Sequence, residues 1–227
     1  MAETENGFRL IYKMKYKAII FDCDGTLLNT IKDLTNSVNY ALSDLGFPIK
    51  TEEETLKMVG NGIKMLVKRA LPNDVENEVF EKVFAKFRTY YNVHYADNTV
   101  PYSGITDTLK ILKNKGYRLA LVSNKQRDYL AKLYNMFFKD TIEYAIGETD
   151  GYAPKPAPDM VWLALSKLDV DKSEAVYVGD SSVDVATAKN SEMDGIFVSW
   201  GFNNKQQLKQ NGAKIIIDAP LELVNLV

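Results

Sequence analysis

The sequence predicts an α/β fold: a parallel sheet covered by helices on both faces, with an all-helical block inserted after its first strand. Three observations carry this. The second half of the chain alternates short apolar runs with helical patterns, the order expected of successive βαβ units. A further apolar run, Ala18-Ile19-Ile20-Phe21, stands alone well ahead of them. The stretch between, residues 31–98, reads as helix.

In chain order, Ala18–Phe21 is the first strand. Ile31 to Leu45 places Ile31, Leu34, Val38, Ala41, Leu42 and Leu45 close to a helical period, and Gly46-Phe47-Pro48 stops it. Thr51 to Val59 opens with the capping pattern Thr51…Glu54. Gly60-Asn61-Gly62 interrupts, Ile63 to Leu71 resumes up to Pro72, and Val75 to Tyr91 is a long amphipathic helix. Strands are then expected at Arg118–Val122, Ala175–Val178, Gly195–Val198 and Lys214–Ile217. Helices lie between, at Ile105–Lys115, Arg127–Phe137, Ala157–Leu168 and Val183–Asn190. Met14-Lys15-Tyr16-Lys17 reads as a natural start, which makes residues 1–13 an N-terminal extension.

Composition narrows the function classes. With 46% hydrophobic and 26% charged residues the chain is an ordinary globular protein, and its net charge of −2 argues against a broad nucleic-acid surface. No apolar stretch is long enough to span a bilayer, and residues 1–13 lack the apolar core of a signal peptide. The single cysteine, Cys23, excludes an intrachain disulfide and fits a reducing, cytoplasmic setting.

Asp22-Cys23-Asp24-Gly25-Thr26 directly follows the first strand. Residues i and i+2 of an extended segment project to the same side, so Asp22 and Asp24 leave the strand as neighbours, and Gly25 lets the chain turn. Two carboxylates held that close require a cation or a shared proton. The pattern suits phosphoryl transfer, with one carboxylate attacking phosphorus, one handling the proton and a divalent metal damping the charge. The other strands end in Ser123-Asn124-Lys125 and in Gly179-Asp180-Ser181-Ser182-Val183-Asp184, while Lys155 sits in Ala153-Pro154-Lys155-Pro156 before a helix. In a parallel sheet such strand ends converge on one cleft. A serine hydroxyl, helix-start amides and a lysine ammonium suit a phosphate. Asp22 and Asp180, with the Asp24 carbonyl, suit Mg²⁺; Asp184 can join that shell or support it.

These four motifs, in this order and over nearly the whole chain after Lys17, resemble those of the haloacid dehalogenase-like superfamily. Val59-Gly60-Asn61-Gly62, Ser123-Asn124-Lys125, Tyr152…Lys155-Pro156-Ala157-Pro158 and Ser199-Trp200-Gly201-Phe202 are similar to its phosphoglycolate phosphatase branch. The resemblance implies a Rossmann-like core, residues 14–30 and 99–227, and a helical cap, residues 31–98, hinged near Leu28–Ile31 and Asn98–Gly104. It implies that Asp22 is the nucleophile and Asp24 the general acid and base. Ser123 and Lys155 hold the transferring phosphoryl, and Asp22, Asp24, Asp180 and Asp184 form the Mg²⁺ site. Thr26, Asn61, Lys64 and Asn124 are expected to contact the substrate, a small phosphorylated metabolite and most simply 2-phosphoglycolate. Asp24 argues against a true dehalogenase, since halide leaves without a proton, whereas an alkoxide gains roughly two to four orders of magnitude from a placed acid. Two departures stand out: Cys23 replaces a bulkier apolar residue, and Asn29-Thr30, seen in related pyrophosphatases, stands where the branch more often has Asp-Ser. Pyrophosphate hydrolysis, a sugar-phosphate phosphatase or mutase, and a non-enzymatic phosphate-binding regulator are the alternatives. The expected assembly is a monomer or homodimer.

The other conspicuous residues have plainer readings. Cys23 reads as a small buried hydrophobe, the lone His94 as structural or solvent-facing, and the Phe80/Val83/Phe84/Phe87 stripe as helix packing. Lys64, Lys68 and Arg69 read as a solvated face. Gly60-Asn61-Gly62 with Lys64 is either a plain helix–helix turn or a loop that selects the substrate through its carboxylate.

Overall fold

The computed structural model describes residues 15–60, 62–148 and 151–227; the expected extension, residues 1–13, and Asn61 lie outside them. Six strands form one sheet in the order β5-β4-β1-β6-β7-β8: β1 (Ala18–Phe21), β4 (Arg118–Gln126), β5 (Tyr144–Glu148), β6 (Ala175–Gly179), β7 (Asp194–Val198) and β8 (Ile215–Ile217). All neighbours are parallel. The chain runs from β1 outward through β4 and β5, then crosses to β6 on the other side of β1, so β1 and β6 flank the point where strand order reverses. Ligands of open α/β sheets bind at such a point. Phe21 lies level with Leu121 and Val178, so Asp22 emerges between the ends of β4 and β6.

Both faces of the sheet are buried, which is why its strands read as unbroken apolar runs. Ile19, Phe21, Leu119, Leu121, Val176 and Val178 face α5 (Ile105–Asn114) and α6 (Arg127–Phe137). Ala18, Ile20, Ala120, Val122 and Tyr177 face α7 (Asp159–Leu168) and α8 (Ser182–Asn190). The strand β5 and the short helices α9 (Lys205–Gln210) and α10 (Leu223–Leu226) are additions to the sequence reading. β5 is an edge strand whose Tyr144 and Glu148 are exposed, so it lacks the continuous apolar signature of its neighbours.

The helical block consists of α1 (Ile31–Ser43), α2 (Glu52–Met58), α3 (Gly62–Ala70) and α4 (Asn77–His94). It has its own apolar cluster, in which Leu34, Val38, Leu66, Val67, Val83 and Phe87 meet; Tyr129 of α6 joins it from the sheet side. The capping box read from Thr51…Glu54 is formed, with the Glu54 N–H donating to Thr51 Oγ1 (3.1 Å) and the Thr51 N–H to Glu54 Oε2 (2.7 Å). His94 is partly exposed, with Nδ1 2.7 Å from Asp97 Oδ2 and its ring stacked on Tyr90. No helix among the described residues is long and apolar enough to cross a membrane.

Both connections to the block run through a two-stranded antiparallel ribbon, β2 (Leu28–Asn29) against β3 (Val100–Pro101), at the two segments expected to be hinges. Asp33, in the first turn of α1, is 1% exposed. It accepts the Asn98 N–H, Asn98 Nδ2 (2.8 Å) and Thr99 Oγ1 (2.8 Å), tying the outgoing crossing to the returning one. Removing a buried carboxylate strands all these donors. We predict that Asp33→Ala lowers unfolding free energy by about 2–4 kcal/mol in urea denaturation; an unchanged midpoint would show that the clamp is not structural.

Candidate active site

Each strand end delivers one part of the site. Asp22 follows β1 and is anchored by its N–H to the Val178 carbonyl (2.9 Å). Gly25 turns the chain at φ +92°, and a Cβ there would fall 2.3 Å from Asp180 Oδ2, so glycine serves both the turn and the close approach of Asp180. Thr26, fully buried, donates Oγ1 to Asp180 Oδ1 (2.9 Å) and lies 3.4 Å from Asp22 Oδ2. It therefore brackets two carboxylates and does not line the cavity where a substrate contact was expected. The Ser199-Trp200-Gly201-Phe202 stretch has a similar purpose. The Phe202 N–H donates to Asp180 Oδ2 (2.7 Å), the Trp200 indole to the Thr26 carbonyl (3.1 Å), and a Cβ on Gly201 would meet Asp180 Cβ at 2.3 Å.

Lys155 is the centre of the arrangement. Its ammonium donates to Asp22 Oδ1 (2.5 Å), to Asp184 Oδ1 (2.8 Å) and to the Tyr177 hydroxyl (3.0 Å), and the residue is 6% exposed. Asn124 fixes its backbone: Asn124 Oδ1 accepts the Lys155 N–H (2.7 Å) and Asn124 Nδ2 donates to the Lys155 carbonyl (2.8 Å). Asn124, expected against substrate, thus spends its amide on positioning Lys155. Asp184 is saturated. Its Oδ1 accepts from Lys155 and Tyr177, and its Oδ2 from the Asp180 and Ser181 N–H groups and the Ser181 hydroxyl.

Burial and charge divide the carboxylates. Burial pushes the Asp22 carboxyl up to about 7, against the pull of the Lys155 ammonium. Burial, then the Asp184 and Asp22 charges, push Asp180 well above the carboxylate range. For Asp184 burial also opposes ionisation, but Lys155 and the Ser181 and Tyr177 donors overcome it and hold the group low. For Lys155 burial is outweighed by Asp184 and Asp22, and the amine stays protonated. Cys23 is fully buried and its thiol is pushed up by that burial, so it packs as an inert hydrophobe.

Between the strand ends and the helical block lies a cavity of about 630 Å³. Asp22, Ser123 and Lys155 line one side, and Ile63, Phe84 and Arg88 the other. Ser123 is 3% exposed and its Oγ accepts the Lys125 N–H (3.1 Å). Lys64 also reaches the cavity, though its Nζ sits 3.9 Å from Glu81 Oε1 with both side chains exposed, a weak pairing. Arg69, read as solvated, donates to the carbonyls of Met58 (2.8 Å), Val59 (3.2 Å) and Gly60 (2.9 Å) and so braces the loop ahead of α3. Within the aromatic stripe Phe80, Val83 and Phe87 are buried as expected, whereas Phe84 is only partly buried and faces the cavity beneath the Arg88 guanidinium. Lys125 and Tyr177 are functional neighbours to which the sequence reading gave no role.

Residues 19–198 match the family model described as haloacid dehalogenase-like hydrolase. The chain belongs to this family. A phosphoglycolate phosphatase from Nitrosococcus oceani is 31% identical over 92% of this chain and 95% of its own. One from Pseudomonas savastanoi pv. phaseolicola is 33% identical over 96% and 83%. Among solved structures, a protein of Lactobacillus delbrueckii subsp. bulgaricus, provisionally named phosphoglycolate phosphatase, superposes with a TM-score of 0.90 at 37% identity over 94% of this chain and 98% of that one.

In this hydrolase the acidic group suits a metal. Asp22, Asp180 and Asp184 each present an oxygen within 4.8 Å of the others, all buried. One ammonium, Lys155, faces three carboxylates, and the protein drives two of them toward the neutral form, the response of a site short of positive charge. Asp24 stands outside this group, its carboxylate held by Lys125. Because the folded value of Asp22, about 7, exceeds its ordinary value of 3.8, the metal-free fold keeps a proton that the unfolded chain releases. Its contribution to stability is therefore lost as pH rises through about 7. We predict that Mg²⁺ raises the melting temperature of metal-free protein more at about pH 8 than at about pH 5, since binding must displace that proton. An equal or smaller shift at the higher pH would contradict this.

Proposed function

We propose that the protein is a Mg²⁺-dependent phosphomonoester hydrolase working through an aspartyl-phosphate on Asp22, with 2-phosphoglycolate as its substrate. The observation that carries this is the Lys155 ammonium on Asp22 Oδ1, which holds a buried carboxylate at the reversal point of the sheet with Asp24 two residues away. The names of the relatives support the substrate assignment.

The substrate phosphoryl sits against Ser123 and Lys155. A carboxylate oxygen of Asp22 attacks phosphorus, the bond to the ester oxygen breaks, and that oxygen takes a proton from the Asp24 carboxyl. Asp24, now ionised, removes a proton from a water molecule, which attacks the phosphorus and frees Asp22 and inorganic phosphate. Asp22 and Asp180, with the Asp24 carbonyl, would hold Mg²⁺, while Asp184 supports Lys155 and the Asp180 turn from behind. When bound, the cation neutralises charge on the phosphoryl oxygens and lets carboxylate and phosphate approach.

Residues 31–98 act as a cap on a core of residues 14–30 and 99–227, closing on the β2–β3 ribbon to exclude bulk water. The wall of the cavity away from Asp22 carries Lys64 and Arg88 beside Gly60 and Gly62, and we assign the substrate carboxylate to it. Asn29 and Thr30, the departure shared with pyrophosphatases, lie in the ribbon region and do not line the cavity.

Phosphate release from a panel of 2-phosphoglycolate, pyrophosphate, sugar phosphates and nucleoside monophosphates tests both levels. The account predicts preference for 2-phosphoglycolate and a loss of at least about 1,000-fold in Asp22→Asn. Preference for another ester, also lost in the variant, would discard the substrate and keep the mechanism; activity surviving in Asp22→Asn would discard the mechanism.

A further inference from the structure

A second lysine is buried at the strand ends, and the reaction as described gives it nothing to do. Lys125 is 9% exposed, and its ammonium donates to Asp24 Oδ1 (2.9 Å) and to the Tyr91 hydroxyl (2.7 Å). A buried ammonium is costly unless its donors are met, so this placement is specified by the fold. The means are visible in β4. Its register with β5 slips between Val122 and Gln126, a bulge that re-aims side chains beside the site. Gly147 of β5 accommodates it, since a Cβ there would lie 2.7 Å from the Lys125 carbonyl oxygen. One irregular segment thus presents Ser123 toward the phosphoryl position and Lys125 toward Asp24.

The two partners of Lys125 come from different parts of the molecule. Asp24 follows β1 of the core. Tyr91 belongs to α4 of the helical block, is fully buried, and has its ring packed against Phe87, Tyr95 and Tyr129. We propose that Lys125 is the positioning residue for the general acid, and that its bond to Tyr91 makes this positioning depend on the seated cap. The assignment rests on the reading of Asp24 as proton donor. With Oδ1 pinned by Lys125, Oδ2, which has no hydrogen bond among the described residues, is the oxygen that carries the proton to the leaving group. The ammonium donates to the carbonyl-like oxygen of the acid form and to the carboxylate alike, so the bond survives both halves of the cycle. When the block lifts, Lys125 loses Tyr91, its burial and one of its two anchors, and Asp24 is freed while the site is open to water.

Leaving-group dependence separates this role from a structural one. An alkyl phosphate needs a proton on its departing oxygen, whereas acetyl phosphate, of similar size, releases acetate without one. The constant kcat/KM reports steps through the first phosphoryl transfer. In Lys125→Met we expect kcat/KM to fall about 100-fold for 2-phosphoglycolate and ethyl phosphate but less than about threefold for acetyl phosphate, within the range a general acid supplies. Tyr91→Phe, which keeps the ring packing, should reproduce the pattern at about 5- to 10-fold. Equal losses on alkyl and acyl phosphates, or no loss on either, would overturn the proposal; if Lys125→Met fails to fold, Tyr91→Phe decides alone. Asp22→Asn run in parallel separates the two levels. Activity retained there removes the mechanistic reading and this proposal with it, whereas activity lost there beside equal losses in the Lys125 and Tyr91 variants removes the proposal only.

Discussion

The rest of the structure is arranged around one ammonium group held between two buried carboxylates. Lys155 touches Asp22 and Asp184 at hydrogen-bond distance, and each is almost wholly removed from solvent. Charges in such a place are costly unless geometry and hydrogen bonds are both good, and a pair of this kind is poor evidence of stabilisation. Here the surroundings meet that demand. Asn124 fixes the backbone of Lys155, Tyr177 shares its ammonium with Asp184, and the start of α8 gives Asp184 further donors. Yet with Asp180 the group sets three carboxylates against one ammonium, two positive charges short of balance, and Asp22 and Asp180 show it in their displaced titration. The shortfall is the physical reason to expect a divalent cation and a site specialised for an anion.

Most of the core and its chemical groups were legible in the sequence, because both rest on local patterns. The strands β1, β4 and β6 carry apolar runs buried on two faces, β7 and the edge strand β8 are apolar runs in sequence although Ile215 is exposed, and polar residues after β1, β4 and β6 mark the cleft. What could not be read lay in the second layer. Thr26 and Asn124 are polar residues beside the motifs, and nothing in one-dimensional spacing says whether such a residue faces substrate or braces a neighbour; the fold turns Thr26 inward toward Asp180, whereas Asn124 lines the cavity while its amide holds the Lys155 backbone. The roles of Gly201, Phe202 and Lys125 depend on approaches across large separations in the chain, such as Lys125 to Asp24 and to Tyr91. β5 was missed for a simpler reason, since an edge strand with exposed ends carries no unbroken apolar run.

The helical block is joined to the core at more than its two chain crossings. Its residues pack in an apolar cluster of their own, while Asp33 ties the two crossings together and Lys125 links the block to the aspartate motif. One link joins the two crossings beside the β2–β3 ribbon, and the other joins the block to the end of β1. A cavity walled by Asp22, Asp24 and Ser123 on one side and by Arg88 and Lys64 on the other suits a small substrate with negative charge at both ends.

The central claim is that Asp22 becomes phosphorylated. Its most direct test is to quench the Asp24→Asn variant during turnover of acetyl phosphate with Mg²⁺ and map the modified peptide by mass spectrometry. Without a base to activate water, the intermediate should accumulate, and the account predicts one phosphoryl group on the peptide containing Asp22, absent when Asp22 is also replaced. Phosphate found on another residue, or turnover with no covalent intermediate under these conditions, would contradict it.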